Sequence, residues 1–347
     1  MSWIRRTTAG RSRMCLTLTA TSALVIGLAW AAAPATPPAV KLAAAAEPAA
    51  EPRPGAAGPS TGPTTTAPVF VLDKAKFTVF DIPFGETGGD GLGINDRGLI
   101  VGSYYDDPAA TCVRGFKRDR AGRFTRIDFP ARGATNLFDV NDRGQLVGNF
   151  RPFPCSDSEP LQGFLRDERG RFTTIQIPGA SLIQAVGINN RGQVVGSYVD
   201  AGGTTHGYVR DGSRITAVDG PAGATGATVF DINDLGQMVG TYLDHAGGIH
   251  AFSLRKGRYT TIDAPGVPYT FPFGVNNRGQ IAGLTLATLP LGLGSDAHGF
   301  VLRAGAGGPF TPVDVPGAVG GTAAFDISGH GAIVGIYGNP QTSAPGR

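Results

Sequence analysis

The chain has 347 residues, enough for one large domain or two ordinary ones. Its 53 glycines and 26 prolines amount to roughly twice the usual share of those residues. With 41% hydrophobic and only 16% charged residues, the chain is neither a polyelectrolyte tail nor an acidic solvating segment, and a packed core is expected.

The N-terminus carries Arg5, Arg6, Arg11 and Arg13 without an acid, followed by an apolar run from Met14 to Ala33. A basic segment, an apolar segment and then small residues are the layout of an export signal. Ala31/Ala33 and Ala44/Ala46 offer two A-x-A cleavage sites, so residues 1–46 are read as signal peptide and cleavage region. At twenty residues the run also has the length of an uncleaved membrane anchor. Cleavage after Ala46 removes Arg5, Arg6, Arg11, Arg13 and Lys41 and no acid, which turns a formal charge of +3 into −2. The basicity then belongs to the signal, no basic cluster is expected to remain, and nucleic acid is not expected as a partner. Residues 47–67 are mostly Ala, Pro, Thr and Gly without hydrophobic periodicity, which reads as a disordered linker.

From residue 68 to 338 the dominant feature is self-similarity. An Asn follows an aliphatic residue at Asn95, Asn141, Asn189, Asn233 and Asn276, with Ser328 as a degenerate sixth copy, at spacings of 46, 48, 44, 43 and 52. The copy ending at Tyr198 shows the grammar: Gly163–Arg166 (GFLR), Arg171–Pro178 (RFTTIQIP), Ala185–Asn189 (AVGIN) and Gly192–Tyr198 (GQVVGSY). Each piece is short, rich in β-branched and aromatic residues and bounded by Gly, Asp, Asn or Pro, so each is a predicted strand. Four strands per unit and six units predict an all-β fold, a β-propeller of six four-stranded blades. Each unit begins and ends at nearly the same phase, which leaves no strand evidently shared between the termini; an open or differently counted β array is the other reading. Residues 339–347 form a C-terminal tail.

Two connections per unit are tight: Asn189-Asn190-Arg191-Gly192 and its copies, and Asp167-Glu168-Arg169-Gly170 with Asp119-Arg120-Ala121-Gly122. These are hairpin turns with Gly available for φ > 0, and they offer too few carboxylates for a calcium loop. In an up-and-down meander they share one face, so the variable unit-to-unit loops share the other. Binding residues favour irregular loops on a rigid scaffold, which makes Asp106, Asp107, Arg151, Phe153, Asp200, Asp244 and Tyr269 the candidate ligand-binding residues. Cys112 and Cys155 fall in consecutive loops of that face and form a candidate disulfide, with two free thiols as the alternative.

Three histidines are periodic: His206, His250 and His298, with Arg114 and Gln162 at equivalent places. They are candidates for a ring about the propeller axis; because Arg and Gln interrupt the series, no metal or other cofactor is expected. Asp81, Asp128, Asp219, Asp263 and Asp314 form a second series, with Gln176 in the remaining unit. Facing one another at the axis they could serve glycoside hydrolysis; otherwise they satisfy backbone donors at strand ends. There is no G-x-S-x-G elbow, no H-E-x-x-H helix and no phosphate-loop pattern, and no catalytic residue is assigned.

The series His-Gly/Ala-Phe/Tyr (His206-Gly207-Tyr208, His250-Ala251-Phe252), Ile262-Asp263-Ala264-Pro265 and Gly187 through Tyr198 resembles the HAF family of extracellular repeat proteins. The resemblance implies an exported repeat protein and brings no activity or catalytic residues with it. Arg114, Gln162, Gln176 and Ser328-Gly329-His330-Gly331 depart from the pattern. The expected function is a non-catalytic binding or interaction module, monomeric and secreted or at the cell surface. Its partner would be an extracellular polysaccharide or protein, with no membrane span after cleavage. The alternatives are an extracellular carbohydrate-active hydrolase or lyase with an axial active site, and a purely structural array.

Overall fold

The computed structural model describes residues 68–338 apart from 85–88, 106–111, 131–132, 154, 156–159, 290–292, 294–295, 304 and 319. The predicted signal, linker and C-terminal tail lie outside the described residues. Among the described residues no helix is long and apolar enough to cross a membrane.

Strands β1 (Val69–Asp73) and β2 (Lys76–Phe80) come first. Five complete blades follow. Blade one is β3 (Gly89–Ile94), β4 (Ile100–Tyr105), β5 (Val113–Arg118) and β6 (Phe124–Ile127), and blade two is β7 (Gly133–Val140), β8 (Leu146–Pro152), β9 (Gln162–Arg166) and β10 (Phe172–Thr174). Blade three is β11 (Leu182–Ile188), β12 (Val194–Val199), β13 (Thr205–Asp211) and β14 (Arg214–Val218). Blade four is β15 (Gly226–Ile232), β16 (Met238–Leu243), β17 (Ile249–Arg255) and β18 (Arg258–Thr261). Blade five is β19 (Tyr269–Val275), β20 (Ile281–Leu286), β21 (Ala297–Leu302) and β22 (Phe310–Pro312), and β23 (Thr322–Ile327) and β24 (Ile333–Tyr337) end the series.

The sixth sheet has the order β2-β1-β24-β23, with Val69 opposite Ile336 and Leu72 opposite Ile333. The fold is a six-bladed β-propeller, closed by two strands from each end of the chain. This corrects the expectation that the termini share no blade. The sequence repeat opens on what is structurally a third strand, so its boundaries run half a blade out of phase with the sheets. The propeller therefore starts with the outer half of a blade and finishes with its inner half.

The motifs place the core. The aromatic residue two after each His position is buried in every blade, as Phe70, Phe116, Phe164, Tyr208, Phe252 and Phe300, and packs between sheets. Every inner strand carries a register shift, for example between Ala185 and Gly187 or Val229 and Asp231. Such a bulge bends the strand and re-aims a side chain. Opposite it, the last residue of the Val-Val-Gly motif has no room for a side chain: a Cβ on Gly196 would lie 1.9 Å from the Gln184 carbonyl oxygen. The glycine that closes the Val-Val-Gly motif is thus required by the bulge across from it.

Candidate functional site

The bulges build the axis. They turn Leu92, Phe138, Val186, Phe230, Phe273 and Phe325, one per blade, into an apolar plug around a cavity of about 30 Å³. The next residue alternates around the ring: Gly93, Asp139, Gly187, Asp231, Gly274, Asp326. Each aspartate takes two backbone N–H groups, one from its own strand and one from the following blade. Asp139 accepts from Val140 (2.6 Å) and Ile188 (2.8 Å), Asp231 from Ile232 (2.6 Å) and Val275 (2.7 Å), and Asp326 from Ile327 (2.6 Å) and Ile94 (2.7 Å). Three carboxylates thereby satisfy the corresponding amide of all six blades. Removal from water pushes the Asp139 carboxyl up to about 6. Asp231 and Asp326 are held well above the usual carboxylate range, first by burial and then by the other aspartates of the ring.

Toward the tight-turn face lies the ring of landmark asparagines. Asn189 closes its own turn, its Oδ1 accepting from Arg191 N (3.1 Å) and Gln193 N (3.0 Å), while its Nδ2 donates to the Asn233 carbonyl of the next blade at 3.1 Å. The same interblade bond runs from Asn95 to Asn141, Asn141 to Asn189, Asn233 to Asn276 and Asn276 to Ser328. Outside these residues a rim of Asp96, Asp142, Asn190, Asp234 and Asn277 is cross-linked in turn. Asn190 Nδ2, for example, donates to Asp142 at 2.9 Å and Asp234 at 3.1 Å. Together these rings line an axial pit of about 70 Å³. That volume admits a few water molecules; pockets that take a sugar or other small ligand run to hundreds of Å³.

The periodic histidines are elsewhere. His206, His250 and His298 lie on β13, β17 and β21, third strands two places out from the axis, and none lines the pit. This corrects the axial-ring reading. Their partners are the Asp-x-Pro aspartates: His206 Nδ1 meets Asp219 at 2.8 Å, His250 Nδ1 meets Asp263 at 2.7 Å and His298 Nδ1 meets Asp314 at 3.3 Å. The second nitrogen of His206 reaches Asp200 and that of His250 reaches Asp244, both at 3.1 Å. Tyr198 and Tyr242 stack on the two rings, with centroids 5.1 and 5.2 Å away. Partial burial opposes protonation of these imidazoles, but the paired carboxylates outweigh it and raise both pKa values. Asp219, Asp263 and Asp314 are therefore strand-end clamps, and the buried acids at the axis are Asp139, Asp231 and Asp326, which belong to neither predicted series.

The loop-face candidates divide. Asp106 and Asp107 lie outside the described residues. Asp200 accepts from Gly202 and Thr204 and also meets His206, and Asp244 does the same with Ala246, Gly248 and His250. Both side chains are engaged in holding their own loops. Tyr269 is half-buried at the start of β19 and packs on the central apolar cluster. Arg151 is half-buried in β8, whereas Phe153 just beyond it is 70% exposed. Cys112 and Cys155 form a disulfide with Cα atoms 5.7 Å apart, joining blades one and two. By loop closure over a separation of 43 residues it contributes about 4 kcal/mol.

Charge also separates by face. The tight-turn face presents exposed Arg97, Arg143, Arg191 and Arg278, with further arginines at the outer hairpins, while Asp81, Asp128, Asp219, Asp263 and Asp314 follow the fourth strands on the loop face. The expectation from net charge that no basic cluster remains does not hold for this face. A meander sends alternate turns to opposite faces, and near-neutrality conceals this sorting.

No family model and no curated protein matches the chain. Among solved structures, it is similar to a putative TolB from Agrobacterium tumefaciens, with a TM-score of 0.57 at 12% identity, covering 78% of this chain and 98% of that one. TolB from Acinetobacter baumannii gives 0.49 at 10% identity, covering 80% of this chain and 66% of that one. A lectin of Aleuria aurantia, solved in complex with Fucα1-6GlcNAc, gives 0.42 at 13%, covering 74% and 96%. At these identities the likeness is one of fold.

Proposed function

We propose that this chain is an exported, non-catalytic binding module of the HAF type whose ligand, an extracellular glycan, docks on the loop face around Phe153. The carrying observation is the rigid presentation of that ring. Phe153 is 70% exposed yet lies between the end of β8 and the Cys112–Cys155 bond, with Cys155 N donating to the Pro152 carbonyl at 2.9 Å. Gly133 sits against it so closely that a Cβ there would be 2.0 Å from the Arg151 carbonyl oxygen and 2.9 Å from Phe153 N. An exposed aromatic on fixed backbone costs little ordering entropy on binding. The disulfide supports an oxidising compartment and hence export.

A hydrolase would need two carboxyl groups facing one substrate-sized cleft. The axial carboxylates are committed to backbone amides in a pit that a sugar ring overfills, and the Asp-x-Pro acids of blades three, four and five are bonded to histidines. The test is retention of the purified chain on a panel of cell-wall and plant polysaccharides, with product analysis of every hit. Saturable retention without product, weakened roughly tenfold by Phe153→Ala, is the expected result; release of oligosaccharide overturns it.

A further inference from the structure

The tight-turn face, opposite the one just assigned, carries its own ring. Arg97, Arg143, Arg191 and Arg278 occupy the same place in the turns of blades one, two, three and five, with Leu235 and His330 in the other two. All four arginines are exposed, and none is in an ion pair with a described residue. Their backbone is fixed: the N–H of each donates to the side chain of its landmark asparagine, at 3.0 Å for Arg97 and 3.1 Å for the other three. The guanidinium groups are thus carried on rigid mounts around the pit. In the outer hairpins Arg123 and Arg171 are held by Asp119 and Asp167 at 2.8 Å, leaving Arg120 and Arg169 exposed at the tips to extend the cationic belt.

We infer that this belt is a docking surface for an acidic polysaccharide, a linear polymer bearing carboxylate groups. Guanidinium matches carboxylate with two parallel hydrogen bonds, and a repeated anion suits a repeated cation. The shape of the charge favours a flexible polymer over a flat surface. Asp96, Asp142 and Asp234 stand at the pit mouth inside the arginines. An anionic bilayer laid over the whole face would meet those acids, and of the large apolar side chains exposed in the described residues only Leu235 lies on these turns to enter it. A chain can follow the belt and avoid the centre. Single-stranded nucleic acid calls for aromatic stacking platforms, and the tight turns supply no Phe, Tyr or Trp.

The test measures retention of the purified chain on immobilised polygalacturonate, with dextran as the neutral comparator, at low and raised salt. The expected result is binding to polygalacturonate alone, weakening as salt rises. Replacing all four arginines with Gln loses roughly two- to fivefold per position, whereas the matching four-Lys variant, which keeps the charge and loses the two-pronged hydrogen bond, binds between the parent and the Gln variant. Circular dichroism checks that both variants fold. Salt-insensitive binding, equal retention on dextran, or an unchanged Gln variant overturns the inference. So does tighter, arginine-dependent binding to phosphatidylglycerol vesicles or to an oligodeoxythymidylate, which would assign the face to a membrane or a nucleic acid. Because Phe153 lies on the opposite face, loss of polygalacturonate binding with Phe153-dependent retention intact removes this inference and leaves the proposed function standing.

Discussion

Asp90 offers the sharpest check on the energetics of a buried acid in this fold. It lies on β3 opposite Ser103, is only 2% exposed, and its Oδ2 has no hydrogen-bond partner. Burial pushes its carboxyl up from 3.8 to about 7. The unfolded chain ionises this group near 3.8 while the fold keeps it protonated until about pH 7. Between those values the native state therefore binds the extra proton, and stability falls as pH rises. A difference of about three pKa units is worth about 4 kcal/mol, fully lost above pH 7. Asp90→Asn keeps the shape and abolishes the titration. The variant should be more stable than the parent at pH 8 by about 2 to 4 kcal/mol, less whatever its buried amide N–H groups fail to bond, and close to the parent at pH 4. Urea unfolding at the two pH values measures both differences. An advantage of the same size at pH 4 and pH 8, or none at pH 8, would refute the assignment of a buried acid that is costly to ionise.

Two further outcomes test the packing. Asp231→Ala strips the acceptor from the Ile232 and Val275 amides, each worth roughly 1–3 kcal/mol when left unsatisfied, so the urea midpoint should drop by an amount equivalent to about 2–5 kcal/mol. Tyr208→Phe should instead stabilise by about 1 kcal/mol, measured in the same way, because the hydroxyl is buried without a partner and the ring alone fills the space between sheets.

Much of this molecule is legible in its sequence because each blade repeats local rules. Alternating β-branched and aromatic pieces mark strands, and Asn-x-Arg-Gly marks a turn whose glycine takes positive φ, as Gly192 does at 82°. What escapes has a physical reason. A period fixes angular position around the ring and says nothing of radius, so the repeated histidines were as consistent with the axis as with the third strand that holds them. The landmark spacing likewise fixes the length of a blade and not where it starts, which is why closure by β1 and β2 was hidden. Charge summed over the chain loses the face on which each turn ends. The axial aspartates do not show at a one-blade period because their own period is two blades, although Gly93, Asp139, Gly187, Asp231, Gly274 and Asp326 stand in plain alternation just before the aliphatic-Asn landmark.

That alternation follows from counting donors and space together. The corresponding inner-strand amide of every blade points to the axis, where a buried N–H needs an acceptor, and one carboxylate can serve two neighbours. An aspartate in every blade would supply twice the acceptors required and crowd six carboxyl groups around one pit. It would also not fit: a Cβ on Gly93 would come 2.7 Å from the Asp139 Cα, and a Cβ on Gly187 would come 2.8 Å from that of Asp231. The ring is therefore three pairs of blades, each pair one aspartate and one glycine. A blade could be gained or lost singly only by leaving one amide without an acceptor or by forcing two aspartates together. On this geometry the axis favours an even number of blades, and the strands contributed by both termini complete the third pair through Asp326 and its bond to Ile94.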